Sequence, residues 1–269
     1  MKMKTINKAS KAEYYFRRYL AVTPLSLALQ RSAEAKYFAS AKLSRPILDL
    51  GCGFGEFAVV FFDKKVDVGI DIDPRELAVA ARENKYKKLV LGDARNLPFK
   101  DNSFATIISV STLEHIGSID KVFKEAFRVL KPEGTFVFTL VTNKWERSIF
   151  YGPLLNRLGL KPLGNFYTFM FNKIFKHKPL KSTRQWERHI KKAGFKINVE
   201  KEMVSSRIAL LFDLFLITAW PAQLMKFIFG KRMVWRPKFA TDLLTKLFLR
   251  YVEEEERGTN LFVVARKPA

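Results

Sequence analysis

Between residues 46 and 142 the spacing of apolar positions changes repeatedly, short runs rich in Val, Ile and Leu giving way to stretches in which apolar residues recur every three or four positions. Short β-branched runs are buried strands, and the longer recurrence is the signature of an amphipathic helix. The pattern predicts strands over 47–50, 66–72, 88–92, 104–109 and 135–141, with helices over 55–62, 75–85 and 119–130 between them. In the helix over 119–130, Ile119, Val122, Phe123, Ala126, Phe127 and Leu130 form one stripe, and Lys131-Pro132-Glu133-Gly134 stops it with a proline and a glycine. Further on, Ser182 is placed to N-cap a helix over 183–193 that Gly194 ends, and 195–200 and 259–267 alternate as strands do. Strands alternating with helices build a parallel sheet covered on both faces. The expected fold class is therefore α/β, a doubly wound, mostly parallel seven-stranded sheet with helices on both faces, in a single domain over residues 1–269.

Three segments depart from the alternation. Residues 1–45 predict a helical extension. Arg17-Arg18 ahead of the apolar stretch 19–29, with Ala33-Glu34-Ala35 after it, has the outline of a secretory leader, but Pro24 and Arg31 interrupt it, and the expectation is a helix packed beside the domain. Residues 144–181 interleave Trp145, Phe150, Tyr151, Phe166, Tyr167, Phe169, Phe171 and Phe175 with lysines and arginines, and Glu146 is their only acid. That segment reads as an insertion after the fifth strand, either a lid that shapes an acceptor pocket or a helix pair that merely covers the sheet. Residues 205–257 form a second helical insertion before the last strand. Within it, 208–230 is apolar apart from Asp213 and Lys226 and is broken by Pro221.

The strongest chemical signal is Ile47-Leu48-Asp49-Leu50-Gly51-Cys52-Gly53-Phe54-Gly55, a strand running into alternating glycines and then a helix. Glycines belong where backbone turns sharply and approaches a ligand without a Cβ in the way. Asp71 follows the loop by about twenty residues, a spacing at which a carboxylate accepts both hydroxyls of a ribose. Gly92-Asp93-Ala94 ends the third strand and can read an adenine edge. The three strand ends converge on one nucleoside-shaped, Rossmann-like site at the carboxyl edge of the sheet. Asp49, ending the first strand, repels phosphate but suits a cationic amine.

These motifs, with Leu97-Pro98-Phe99, Leu113-Glu114-His115-Ile116 and Leu130-Lys131-Pro132-Glu133-Gly134 in the same order, resemble the class I S-adenosylmethionine-dependent methyltransferases, among them the group acting on small molecules, quinones and lipids. The resemblance implies that Asp49, Gly51, Cys52 and Gly53 line the methionine end of S-adenosyl-L-methionine, with Asp49 on its amino group. It further implies Asp71 on the ribose, Ile72 against adenine, Asp93 and the backbone of Ala94 on the adenine edge, and Ser109 and Val110 facing the sulfonium. His115, after the fourth strand, is the candidate general base if the acceptor must lose a proton, with capping or packing as its alternative role. Glu114 receives no chemical role. His177 and His189 are expected to face solvent.

Charge narrows the partners. A net charge of +22 calls for a polyanion or an anionic surface, either nucleic acid or the inner face of a phospholipid membrane. Cys52 is the only cysteine, so no intrachain disulfide forms, and with three histidines it shows no metal-ligand spacing; no metal and a reducing cytoplasm are expected. The run 208–230, flanked by Lys231, Arg232, Arg236 and Lys238, should enter and leave a membrane on one side, because the final strand must return to the same sheet. The expected enzyme therefore methylates a small or lipophilic, membrane-embedded acceptor while peripheral at the inner membrane face. An RNA ribose methyltransferase and a non-catalytic cofactor-binding module are the alternatives, and burial of the apolar run in a homodimer competes with the membrane.

Overall fold

A computed structural model describes residues 8–219, 234–255 and 258–269 of the chain. Its strands are β1 (Ile47–Leu50), β2 (Val66–Asp71), β3 (Tyr86–Leu91), β4 (Phe104–Val110), β5 (Leu130–Val141), β6 (Lys196–Met203) and β7 (Asn260–Arg266). They form one sheet in the order β3-β2-β1-β4-β5-β7-β6. The first five are mutually parallel, and β7 runs antiparallel between β5 and β6. The chain moves outward from β1 to β3 and then crosses back to β4, so the strand order reverses between β1 and β4. In open α/β sheets that reversal splays the two connections apart and leaves a crevice at the carboxyl ends.

Helices cover both faces, as expected of strands buried on two sides. Along β4 and β5, Ile107, Phe136 and Phe138 face one apolar cluster and Ile108 and Val137 the other. The first of these clusters is closed by α5 (Ile119–Val129) and α9 (Thr183–Lys192), where Phe123 meets Phe136, Phe138, Trp186 and Phe195. Ser182 caps α9 as predicted, its backbone N–H donating to the Gln185 side chain at 2.8 Å. At the predicted stop of α5 the outcome differs in detail. Leu130 already pairs with Phe104, the ladder shifts, and pairing resumes at Thr106 with Thr135, so the Lys131–Gly134 stretch is a bulge within β5 with Glu133 at φ +67°.

The second cluster contains α1 (Lys8–Val22) and α2 (Leu25–Phe38), which break at Thr23-Pro24. Phe16, Tyr19, Leu20, Leu29 and Phe38 are buried, and Phe38 packs on Phe57 and Phe262. The N-terminal helices thus contribute side chains to the core itself, beneath α3 (Glu56–Phe61) and α4 (Pro74–Arg82).

After β5 come α6 (Trp145–Ser148), α7 (Tyr151–Arg157) and α8 (Lys161–Ile174), and after β6 come α10 (Ser206–Leu214) and α11 (Lys238–Glu253). In α10, Ile208, Ala209 and Phe212 are buried among Trp145, Phe171 and Phe175. The opening of the apolar run 208–230 therefore belongs to the protein core. Its continuation, with Pro221 and Lys226, lies outside the described residues, as do Lys231 and Arg232. No helix among the described residues is long and apolar enough to cross a membrane.

Asp213, the acid that interrupts this run, is fully buried. Its carboxylate accepts from the backbone N–H groups of Phe150 and Tyr151, at 2.9 and 3.0 Å, and from the Tyr167 hydroxyl. It therefore fastens the start of α7 and the middle of α8 to α10, satisfying amides that the first turn of a helix leaves without acceptors. Asp213→Ala should lower the unfolding free energy by about 3 kcal/mol, since it removes the acceptor from partly buried donors that this carboxylate satisfies. Urea denaturation followed by circular dichroism checks this, and an unchanged midpoint would show that the α7–α8 hairpin is held by other contacts.

Candidate active site

The glycine loop leaves β1 in the conformation its composition requires. Gly51, Gly53 and Gly55 lie at φ +75°, +53° and +76°, where a side chain is strained. The N–H groups of Gly51 and Cys52 both donate to the Ile70 carbonyl, at 2.9 and 3.0 Å, tying the loop to β2. Gly51 also lies close against the residues that follow β4: a Cβ there would stand 2.2 Å from Cγ2 of Thr112.

Asp71 ends β2 half-buried, and it holds two loops at once. One carboxylate oxygen accepts from Gly53 N–H at 2.8 Å and the other from Asp73 N–H at 3.0 Å. Asp73 in turn caps α4 through Arg75 N–H at 2.9 Å, with Pro74 in the first helical position. Between the two acids Ile72 projects into the open, 65% exposed. At the end of β3, Asp93 accepts from the backbone and guanidinium of Arg95, and that pairing holds its carboxyl below the usual range. Ala94 follows, half-buried. Asp71, Ile72, Asp93 and Ala94 thus stand on neighbouring strand ends beside the glycine loop.

Asp49 lies beneath the loop. It is buried, its carboxylate accepts from the Tyr86 hydroxyl at 2.7 Å, and burial pushes its pKa up to about 7. The Tyr86 ring fits only because Gly55 and Gly69 lack side chains, whose Cβ atoms would stand 3.1 and 2.8 Å from it. Cys52 is buried beside them, and burial raises its thiol far above neutral pH, which makes it inert as a nucleophile. Ser109 is fully buried and donates to the Leu50 carbonyl at 2.9 Å, so its side chain clamps β4 to β1. Val110 ends β4 half-buried, and Ser111, buried, and Thr112, half-buried, follow it.

A polar cluster that the sequence reading missed lies next to this end. Glu34 of α2 is fully buried; one oxygen accepts from Ser111 at 2.5 Å, Asn260 at 3.3 Å and Gln30 at 3.4 Å, and the other pairs with Arg31 at 2.8 Å. A signal was present in α2, where Gln30, Arg31 and Glu34 at helical spacing interrupt small and apolar residues, but the partners Ser111 and Asn260 are distant in sequence. Glu114 is buried nearby. Burial pushes it up to about 8, one oxygen accepts from Val141 N–H at 3.3 Å, and the other has no hydrogen-bond partner among the described residues.

His115 is half-buried, with Nδ1 3.4 Å from the Lys176 carbonyl, and burial lowers its pKa, so the ring is neutral near pH 7. Its ring stacks on His177 with centroids 5.3 Å apart and planes 14° from parallel. His177, expected in solvent, is therefore partly covered, also meeting Phe175 and standing 3.0 Å from the Asn172 side-chain oxygen, and burial takes its pKa down to about 4. His189 is likewise not free in solvent, since it packs on Trp186 and meets Asp120 at 2.5 Å, on α9. Among the described residues no group of histidines, cysteine and acids is arranged to hold a metal.

The stretch that builds this edge, residues 48–138, matches a family model described as a methyltransferase domain. Residues 48–138 are therefore similar to a methyltransferase domain. The chain is 36% identical over 117 residues to the demethylmenaquinone methyltransferase of Symbiobacterium thermophilum, covering 39% of this chain and 46% of the relative. It is 33% identical over 109 residues to the sterol 4-C-methyltransferase of Caenorhabditis elegans, covering 37% of this chain and 33% of the relative. The chain thus spans less than half the length of these relatives. Among solved structures, a SAM-dependent methyltransferase of Thermotoga maritima, described as a possible histamine N-methyltransferase, shares the fold with a TM-score of 0.57 at 20% identity, over 96% of this chain and 97% of that one.

The glycine loop can be tested directly. Gly51→Ala should destabilise the protein by about 2 kcal/mol or more, through positive φ and the contact with Thr112. Gly117→Ala, where a Cβ meets nothing within 4 Å, is the control and should leave the melting temperature unchanged. Equal melting temperatures for both variants would refute the close approach of Gly51 to Thr112.

Proposed function

We propose that the chain is an S-adenosylmethionine-dependent methyltransferase whose acceptor is a small lipophilic molecule taken from a membrane surface. The observation that carries this reading is the convergence of the glycine loop with Asp71, Ile72 and Asp93 where the strand order reverses. The residues fit the cofactor. Asp71 retains lone pairs for ribose hydroxyls beyond the two backbone amides it already accepts, and the exposed Ile72 offers adenine an apolar face. No lysine or arginine occurs in the loop over 47–55, and Asp49 lies under it, which disfavours a pyrophosphate and favours an ammonium group. When bound, the cofactor supplies a methyl group already activated by its sulfonium.

The chain's own residues then have to position the acceptor, exclude water and, where needed, accept a proton. Val110, Ser111 and Thr112 border the place where the methyl group would sit, with Ser111 fixed by Glu34. His115 is neutral near pH 7 and so able to take a proton. The α7–α8 hairpin, followed three residues on by His177 stacked on His115, acts as the lid over the acceptor. Relatives named for demethylmenaquinone and for a sterol support a lipophilic acceptor. The net charge of +22 supports attraction to anionic lipid, placing the enzyme as a peripheral protein at the inner membrane face.

Two measurements test the cofactor assignments. Asp71→Ala should weaken S-adenosylmethionine binding by about 1 to 3 kcal/mol in isothermal titration calorimetry, and wild-type affinity would remove Asp71 from the ribose. Burial raises Asp49, so the folded protein without cofactor retains a proton that the unfolded chain has lost between about pH 4 and about pH 7, and Asp49's contribution to stability falls as pH rises through that window. A cationic amine favours the ionised carboxylate, so cofactor affinity should rise from about pH 5.5 to about pH 7. Asp49→Asn should flatten that rise. A rise that persists in the variant would assign the amine to another group.

A further inference from the structure

The α7–α8 hairpin is apolar on the side that meets the protein and also on the side that does not. Inward, Gly164, Tyr167 and Phe171 of α8 meet α7 and α10. Gly164 lies so close to Gly152 that a Cβ there would stand 2.7 Å from the Gly152 carbonyl oxygen, so small residues make the helix crossing. Outward, Leu158, Leu163, Phe166, Phe169 and Ile174 are 54–67% exposed. A helix that is apolar all round belongs in a core or in lipid, and this one has a core on one side only. The same segment is wholly basic. Residues 147–181 contain no Asp or Glu, while Arg157, Lys161, Lys173, Lys176 and Lys178 are exposed around the apolar side chains.

We infer that this outer face of the α7–α8 hairpin is the surface with which the enzyme docks on an anionic phospholipid bilayer. The inference rests on the reading of the chain as a methyltransferase with a lipophilic acceptor, and it assigns the membrane contact to the hairpin. Aromatic and leucine side chains enter the headgroup boundary while the surrounding lysines meet lipid phosphates. The hairpin's inner side is fixed to the acceptor site through Asp213 and the stacked His115 and His177. Docking on the outer side therefore brings the bilayer to the acceptor site, so that a lipophilic acceptor need not cross water. Charge selects this occupant over a second copy of the chain, because the same basic surface would repel itself.

Flotation of the full chain with vesicles of phosphatidylcholine, with and without about one third phosphatidylglycerol, tests the assignment. Wild type should float with the anionic vesicles only. The double variants Leu163→Ser with Phe166→Ser, and Lys173→Glu with Lys176→Glu, should each float about tenfold less, with melting temperature and S-adenosylmethionine affinity unchanged. As a second readout, the fluorescence of Phe166→Trp should shift to the blue on anionic vesicles and be quenched by brominated lipid. Flotation of both double variants at wild-type levels, or an unshifted Phe166→Trp spectrum, overturns the assignment. So does a dimer in sedimentation that the leucine and phenylalanine changes dissolve without any lipid binding, which gives the face to a second copy. Retention on RNA that only the lysine changes abolish, without flotation of wild type, gives it to nucleic acid. Cofactor binding without flotation defeats the docking surface alone, whereas absence of cofactor binding defeats the methyltransferase reading beneath it.

Discussion

Both oxygens of Asp71 are engaged, one by the N–H of Gly53 in the glycine loop and the other by Asp73 at the head of α4, and the geometry of this edge of the sheet depends on that arrangement. A carboxylate placed between two backbone amides fixes the path of two loops relative to each other without needing a cation. The loop can follow this path only because its glycines adopt positive φ and because Gly51 leaves room for Thr112. Everything assigned to the cofactor hangs on loops whose positions those contacts determine.

Two further carboxylates play the equivalent part elsewhere in the domain. Asp213 gathers α7, α8 and α10 around one buried point, and Glu34 gathers α2, the end of β4 and the start of β7 around another. In each case a charge inside an apolar setting is tolerated because several donors converge on it. The consequence is a site whose walls come from widely separated parts of the chain yet share a few polar anchors.

The sequence disclosed the sheet almost completely, because each strand is short, apolar and bounded by a turn signal, and because the helix over 119–130 repeats its apolar positions over three turns. The placement of the glycine loop, Asp71 and Asp93 at neighbouring strand ends was legible for the same reason, local spacing. What was not legible depends on contacts between distant residues. Tyr86 as the partner of Asp49, the inward turn of Ser109, and the pairing of His177 with His115 all require knowing which surfaces meet. The apolar start of the run 208–230 could not be told from a membrane-seeking segment by hydropathy, since a core and a bilayer select the same residues, and only the burial of Ile208 and the packing of Phe212 on Trp145, Phe171 and Phe175 separate them. Asp213 looked like an interruption of that run and is instead the reason it lies where it does.

The position of β7 has a consequence for how the chain reaches this structure. β6 precedes β7 in sequence yet lies outside it, joined to β5 only through the strand that comes last. During synthesis β5 therefore presents an open edge, and β6 has no partner, until residues 260–266 have left the ribosome. Over that interval the two strands are exposed to pairing with other chains, and the exposed charge on β6, at Lys196 and Lys201, works against such pairing. Completion of the sheet is thus a late, long-range event, and the rate of productive folding should be governed by the arrival of the last strand more than by the quality of the cofactor core.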